Sequence, residues 1–88
     1  MNEQRIQDEL LALLEGAGVT LRREPLGGTG GGLCLVQGKQ IFFIDTEADS
    51  GETAARCAGV VAKLVDTEAV YIRPEVRLYI EGHAGSAI

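Results

Sequence analysis

The stretch Gln40-Ile41-Phe42-Phe43-Ile44-Asp45 decides the fold. Its four apolar residues stand together instead of alternating with polar ones, so the strand that they predict is apolar on both faces. Strands of this kind are usually covered on both sides by other elements. The chain has 88 residues, 45% of them hydrophobic and 5% aromatic, which is enough for one domain with a mainly aliphatic core. We therefore expect a small sheet built around residues 40–44.

Two further strands are predicted before this one. Residues 19–24 alternate between two faces, and residues 33–37 form a short apolar run. Gly38-Lys39 is expected to form a tight hairpin turn, whereas Pro25 should end the first strand because proline donates no ladder hydrogen bond. The expected sheet is a three-stranded antiparallel meander, and the glycine-rich residues 27–32 join its first two strands.

Two helices flank the predicted sheet in sequence. Apolar residues at helical spacing predict a first helix over residues 3–15, capped by Asn2. A second helix should run from about Ser50 to Leu64, because Asp49 and Glu52 have the spacing of a capping box.

The remaining segments complete an α+β fold that forms one domain over residues 1–88. Gly59 lies inside the second helix, which predicts a close approach of another element there. Residues 69–72 predict a short extended segment, and Pro74 is well placed to begin a short C-terminal helix. Gly82 should end that helix and leave residues 83–88 as a tail.

Charge argues against several classes of partner. Thirteen acidic and eight basic residues give a formal net charge of −5, and the basic residues are dispersed along the chain. Nucleic acid and anionic membrane surfaces are therefore poor candidates. The first residues lack a signal-peptide pattern, and two cysteines do not indicate a disulfide scaffold. We expect a cytoplasmic protein with reduced thiols.

The glycine-rich segment, Gly-Gly-Thr-Gly-Gly-Gly at residues 27–32, allows three interpretations. A phosphate-binding loop needs a helix behind it, but a strand follows here. The segment is then a long hairpin loop, a place where another backbone approaches closely, or a lid over a ligand. In the last case the candidate ligand-binding residues are those of the segment, the next strand and the acidic strand end: Gly28, Gly30, Gly31, Cys34 and Asp45.

Patterns for metal binding and catalysis are incomplete. The acidic run at residues 45–52 resembles a calcium loop, but the twelfth position is Arg56 instead of glutamate. Cys34, Cys57 and His83 provide at most three zinc ligands, without the usual spacing. A catalytic triad or a helical zinc motif is missing, so we predict no catalytic residues, no metal and no cofactor.

Several short segments resemble a family of small bacterial proteins of uncharacterised function: Leu33-Cys34-Leu35-Val36, Gly38-Lys39 and the strand that ends at Ile44-Asp45. The same order of elements is distantly similar to the core of ImmA/IrrE-type metallopeptidases. Those enzymes carry an HExxH motif on the helix after a meander, whereas residues 52–62 contain no histidine. The resemblance therefore implies a fold but no peptidase activity.

Surplus apolar surface leads to the main functional hypothesis. Two helices can cover one face of a three-stranded sheet, and a second apolar face would remain. We predict a non-enzymatic homodimeric interaction or accessory protein, with Phe42, Phe43, Tyr79 and Ile80 at the interface. Two alternatives stay open. One is a small-ligand or metal-binding protein that uses the glycine-rich loop as a lid, and the other is a thiol-based enzyme or redox sensor.

Overall fold

The computed structural model describes residues 2–28 and 31–85. Its six elements have the order α1 (Glu3–Gly16), β1 (Thr20–Glu24), β2 (Gly32–Val36), β3 (Lys39–Asp45), α2 (Ser50–Leu64) and α3 (Pro74–Gly85). The fold is α+β, as the sequence predicts. No helix within the described ranges combines the length and the apolar character that crossing a lipid bilayer requires.

Both long helices begin at the predicted caps. The side chain of Asn2 accepts a hydrogen bond from the backbone N–H of Arg5 at 2.8 Å, and that of Asp49 accepts one from Glu52 at 2.9 Å. These contacts satisfy amides that would otherwise lack partners in the first turn of each helix. Cap chemistry therefore fixes where α1 and α2 enter the fold.

The prediction of an antiparallel meander is wrong. The strand order is β1-β3-β2, with β3 parallel to β1 and antiparallel to β2. Only β2 and β3 form a hairpin, around Gln37 and Gly38, so the glycine-rich segment is not a hairpin loop. The chain leaves β1 at one edge of the sheet and enters β2 at the other. The apolar run of β3 explains this order, because the central strand is the one that other elements cover best.

The two faces of β3 have different environments. Phe42 and Ile44 point to the inner face and lie buried in a core formed mainly with α1 and α2. Ile41 and Phe43 point to the outer face, where they are only half-buried. The expectation that this strand is covered on both sides is therefore met on the inner face alone.

Three local predictions also need correction. Residues 69–72 form no strand and lie in a turn and extended connection. The third helix continues through Gly82 to Gly85, so His83 lies inside α3 and not in a tail, while residues 86–88 are outside the described part. A Cβ on Gly59 would meet no atom within 4 Å, so no element approaches closely there.

Candidate functional site

The segment between β1 and β2, called the crossover below, is anchored by two carboxylates. Asp45, the last residue of β3, is buried, and its Oδ1 accepts hydrogen bonds from the backbone N–H groups of Leu26 and Glu47, each at 2.9 Å. One carboxylate oxygen of Glu47 accepts a bond from the N–H of Gly27 at 2.7 Å. These bonds tie the start of the crossover to the end of the central strand. The Oδ1 atom of Asp45 therefore has a structural role in the described part of the chain.

Gly31 allows the crossover to pass close to β3. A Cβ at this position would overlap the backbone carbonyl group of Phe43. Glycine is the residue that permits such an approach because it has no side chain. The prediction of a close backbone approach in the glycine-rich segment is thus confirmed at Gly31. Gly28 has a positive φ of 81° and lies near the backbone of Glu47, whereas Gly30 is outside the described residues.

The strand β2 forms an exposed apolar edge. In the described sheet it pairs with β3 alone, and it carries the uncharged sequence Gly-Leu-Cys-Leu-Val at residues 32–36. Leu33 is 37% exposed, Leu35 72% and Val36 44%. Leu33 and Leu35 share the inner face with Phe42, but α2 extends only partly over β2. Exposed apolar edges of this kind are ready to pair with another strand.

The outer face of the sheet is partly screened by β1. The Arg22 guanidinium lies 6.0 Å from the centre of the Phe43 ring, and it forms an ion pair of 2.7 Å with Glu24 on the same face. Cys34 and Ile41 occupy neighbouring positions of this face, and Cys34 is exposed. The outer face is therefore apolar toward β2 and charged toward β1.

The four residues predicted for the interface separate into two groups. Phe42 and Ile80 are buried in the core, so their side chains do not reach the surface of the chain. Phe43 and Tyr79 are half-buried and lie on different elements, β3 and α3. The Tyr79 ring stacks on that of His83 with 4.1 Å between centroids. Burial, followed by the charges of Glu3 and Cys57, raises the pKa of the Tyr79 phenol.

The two thiols have opposite environments. Cys57 lies on the buried face of α2, and burial raises its pKa to about 12, although the nearby Arg23 charge acts against this shift. A thiol that stays protonated at neutral pH is a poor nucleophile. Cys34 lies exposed on the β2 edge, and neither cysteine is in a disulfide. Within residues 2–28 and 31–85, no three His, Cys, Asp or Glu side chains form a group that could hold a metal ion.

A polar hollow of about 410 Å³ lies where β1 and β3 end, beside the first turn of α2. Gln7, Arg23, Asp45 and Thr53 are among its lining residues. Gln7 is buried, and its Oε1 has no hydrogen-bond partner among the described residues. The Glu3 carboxylate lies against Gly51, so an acidic side chain already faces the positive end of α2.

Sequence reasoning missed the exposed β2 edge and the position of Gln7. The signal for β2 was present, because five consecutive residues without a charge are unusual in an edge strand. The signal did not point to an edge, because the expected meander places β2 in the centre of the sheet, where an uncharged strand is ordinary. No pattern in the sequence marks Gln7, which interrupts the apolar face of α1.

Comparison of the chain with protein-family models, with curated proteins and with solved structures finds no match. The meander on which the likeness to the metallopeptidase core depends is replaced here by a mixed sheet.

Proposed function

We propose that the chain is a non-enzymatic interaction protein that acts as a homodimer and associates through the β2 edge of its sheet. The observation that carries this proposal is the exposure of Leu33, Leu35 and Val36 on a strand that has no charged residue. Unprotected apolar edges are rare on monomers because they promote pairing with other chains. A second chain would cover these side chains and pair the open backbone groups.

Other features of the chain fit an interaction role better than a chemical one. The Oδ1 atom of Asp45 is occupied by backbone amides of the crossover, and Cys57 is protonated and buried. The proposal includes a cytoplasmic setting, in which Cys34 remains a thiol. It excludes nucleic acid and membrane surfaces as partners because the net charge is −5 and the basic residues are scattered.

Light scattering coupled to size exclusion tests the proposal. We expect a mass of twice 9.3 kDa at high micromolar concentration. A five-residue strand buries less surface than the roughly 800 Å² per partner of a standard interface. The dimer should therefore be weak, and the mass should fall toward 9.3 kDa on dilution. A mass of 9.3 kDa at every concentration would refute the proposal.

A matched pair of variants locates the surface. Leu35→Lys places a charge on the β2 edge, and we expect it to shift the protein to the monomer. Leu78→Lys changes an equally exposed leucine on α3, since Leu78 is 69% exposed and Leu35 is 72% exposed. This control should leave the dimer intact. Loss of the dimer in the Leu78 variant alone would place the association surface on α3 and contradict the proposal.

A further inference from the structure

We propose that two copies of β2 pair antiparallel across a two-fold axis centred on Cys34, so that the two Cys34 side chains face each other. The inference rests on the proposed function and assigns its interface a register.

The hairpin identifies the open backbone groups. Gln37 and Gly38 both have positive φ, 50° and 80°, as a two-residue type I′ turn requires. The residues that flank such a turn, Val36 and Lys39, form a hydrogen-bonded pair. Because bonded and non-bonded pairs alternate along an antiparallel ladder, Gly32 and Cys34 also bond to β3. The N–H and C=O groups of Leu33 and Leu35 therefore point to the open side.

Only one centre pairs all five residues of β2 with five residues of a second β2. Centred on Cys34, the strands place Leu33 opposite Leu35 of the other copy on both sides of the axis. These are the residues whose backbone groups are open, so each pair can exchange two hydrogen bonds. A centre at Leu33 or Leu35 leaves part of each strand unpaired. The sequence Leu-Cys-Leu is also symmetric about its cysteine, so apolar side chains meet apolar side chains.

A second copy suits this edge better than a different protein. The strand has no charged residue that a polar partner could recognise. In a second copy of the same strand, apolar residues would face the apolar residues of the first along the whole strand. Pairing would join the two sheets into one of six strands, with the order β1-β3-β2-β2-β3-β1. Leu33 and Leu35 of both copies would then form an apolar cluster on the inner face.

The register brings the thiols within bonding distance. Cys34 and its counterpart form a non-hydrogen-bonded pair, in which Cα atoms are about 4.5 Å apart. That separation lies at the short end of the range of about 4.4–6.8 Å seen in disulfides. Diamide, an azo oxidant, can therefore join them. The two thiols lose two protons and two electrons, a sulfur–sulfur bond forms, and the azo group is reduced to a hydrazine.

The test is the rate of disulfide formation with diamide at the high micromolar protein concentration at which the dimer is expected, followed on non-reducing gels. Because pre-associated thiols have an effective concentration in the millimolar range, Cys34 should link at least about tenfold faster than an unpaired exposed cysteine. The matched control is Val36→Cys combined with Cys34→Ser, which moves the thiol along the same exposed face. In the proposed register the two residues at position 36 are roughly 13 Å apart along the strands, beyond disulfide reach.

The outcomes separate the register from the dimer itself. Fast linkage through Cys34, slow linkage of the Val36→Cys control and an unchanged dimer mass for Cys34→Ser support the register. A dimer that links faster through the Val36→Cys control, or through neither site, overturns the register and leaves the homodimer standing. A mass of 9.3 kDa for the unmodified chain at every concentration overturns both.

Discussion

The two edges of the sheet differ in how they are protected against pairing. β1 has the sequence Thr-Leu-Arg-Arg-Glu, three charges in five residues, and Pro25 follows it directly. β2 has no charge and ends in a tight turn. Charged side chains and proline are devices that keep an edge strand from pairing with other chains. The difference favours the β2 edge over the β1 edge as the surface of the proposed association.

In the proposed association, the use of one edge alone would limit the assembly to two copies. A sheet with one open edge can accept one further sheet, after which both remaining edges are charged ones. A sheet with two open edges would continue to add copies and form an open-ended assembly. In the proposed dimer, the charges of β1 are thus as important for closure as the apolar residues of β2.

The largest expected effect follows from making β1 resemble β2. Arg22 and Glu24 form an ion pair in which a guanidinium nitrogen and a carboxylate oxygen are 2.7 Å apart. Arg22→Val combined with Glu24→Val removes both partners, so neither charge is left without the other. We expect masses above the dimer by light scattering, because Arg23 is then the one charge left in β1 and the edge is mainly apolar. The exchanged variant, Arg22→Glu with Glu24→Arg, keeps the charges and should remain a dimer. If the valine variant also remains a dimer, the charges of β1 do not limit assembly.

A smaller effect concerns the crossover that connects the two edges. Gly31→Ala should lower the free energy of unfolding by about 1–3 kcal/mol, because its Cβ would overlap the Phe43 carbonyl group. Gly59→Ala should instead raise it by up to about 1 kcal/mol, since alanine favours helix and nothing lies within 4 Å. Urea denaturation measures both. Equal stability of the two variants would mean that the crossover is free to move away from β3.

The order of the strands explains how far sequence reasoning reaches. Periodicity and cap residues correctly predict α1, α2 and three strands near their observed positions, because those signals are local. The pairing of strands is not local. The hairpin at Gln37 and Gly38 fixes the contact between β2 and β3, but β1 could pair with either strand. The observed pairing is accompanied by the anchoring of the crossover to Asp45 and by the close approach of Gly31 to the Phe43 carbonyl, which are tertiary contacts.

The exposed β2 edge shows the same difference between what local sequence signals predict and what depends on tertiary contacts. The apolar run of β3 correctly indicates a core strand, and Phe42 is buried there, but alternation alone places Phe43 on the opposite face. Whether a face is covered depends on where the helices lie. The exposure of Leu35 could not be deduced before the strand order was known, since the same residue in a central strand would have two neighbours.

The smallest expected effect is a change of stability with pH, which should come from Cys57 in the core and not from Cys34 on the exposed β2 edge. Burial raises the pKa of Cys57 to about 12 from its ordinary value of 9.0. In the unfolded chain the thiol loses its proton above pH 9, whereas in the folded chain it stays protonated until about pH 12. The stability that this difference represents is therefore complete below pH 9 and is lost progressively as the pH rises toward 12.

At one pH unit above 9, this loss amounts to about 1 kcal/mol. Urea denaturation of the reduced protein at pH 8 and pH 10 measures it. Cys57→Ala should show a flatter dependence on pH, whatever its stability at pH 8, and Cys34→Ala, which leaves the buried thiol of Cys57 in place, should keep the dependence that Cys57 causes. Tyr79 acts in the same direction at higher pH, since its pKa is also raised. If the stability of the unmodified chain does not change between pH 8 and pH 10, water reaches Cys57. The core around Cys57 would then differ less from the exposed β2 edge than the burial of Cys57 indicates.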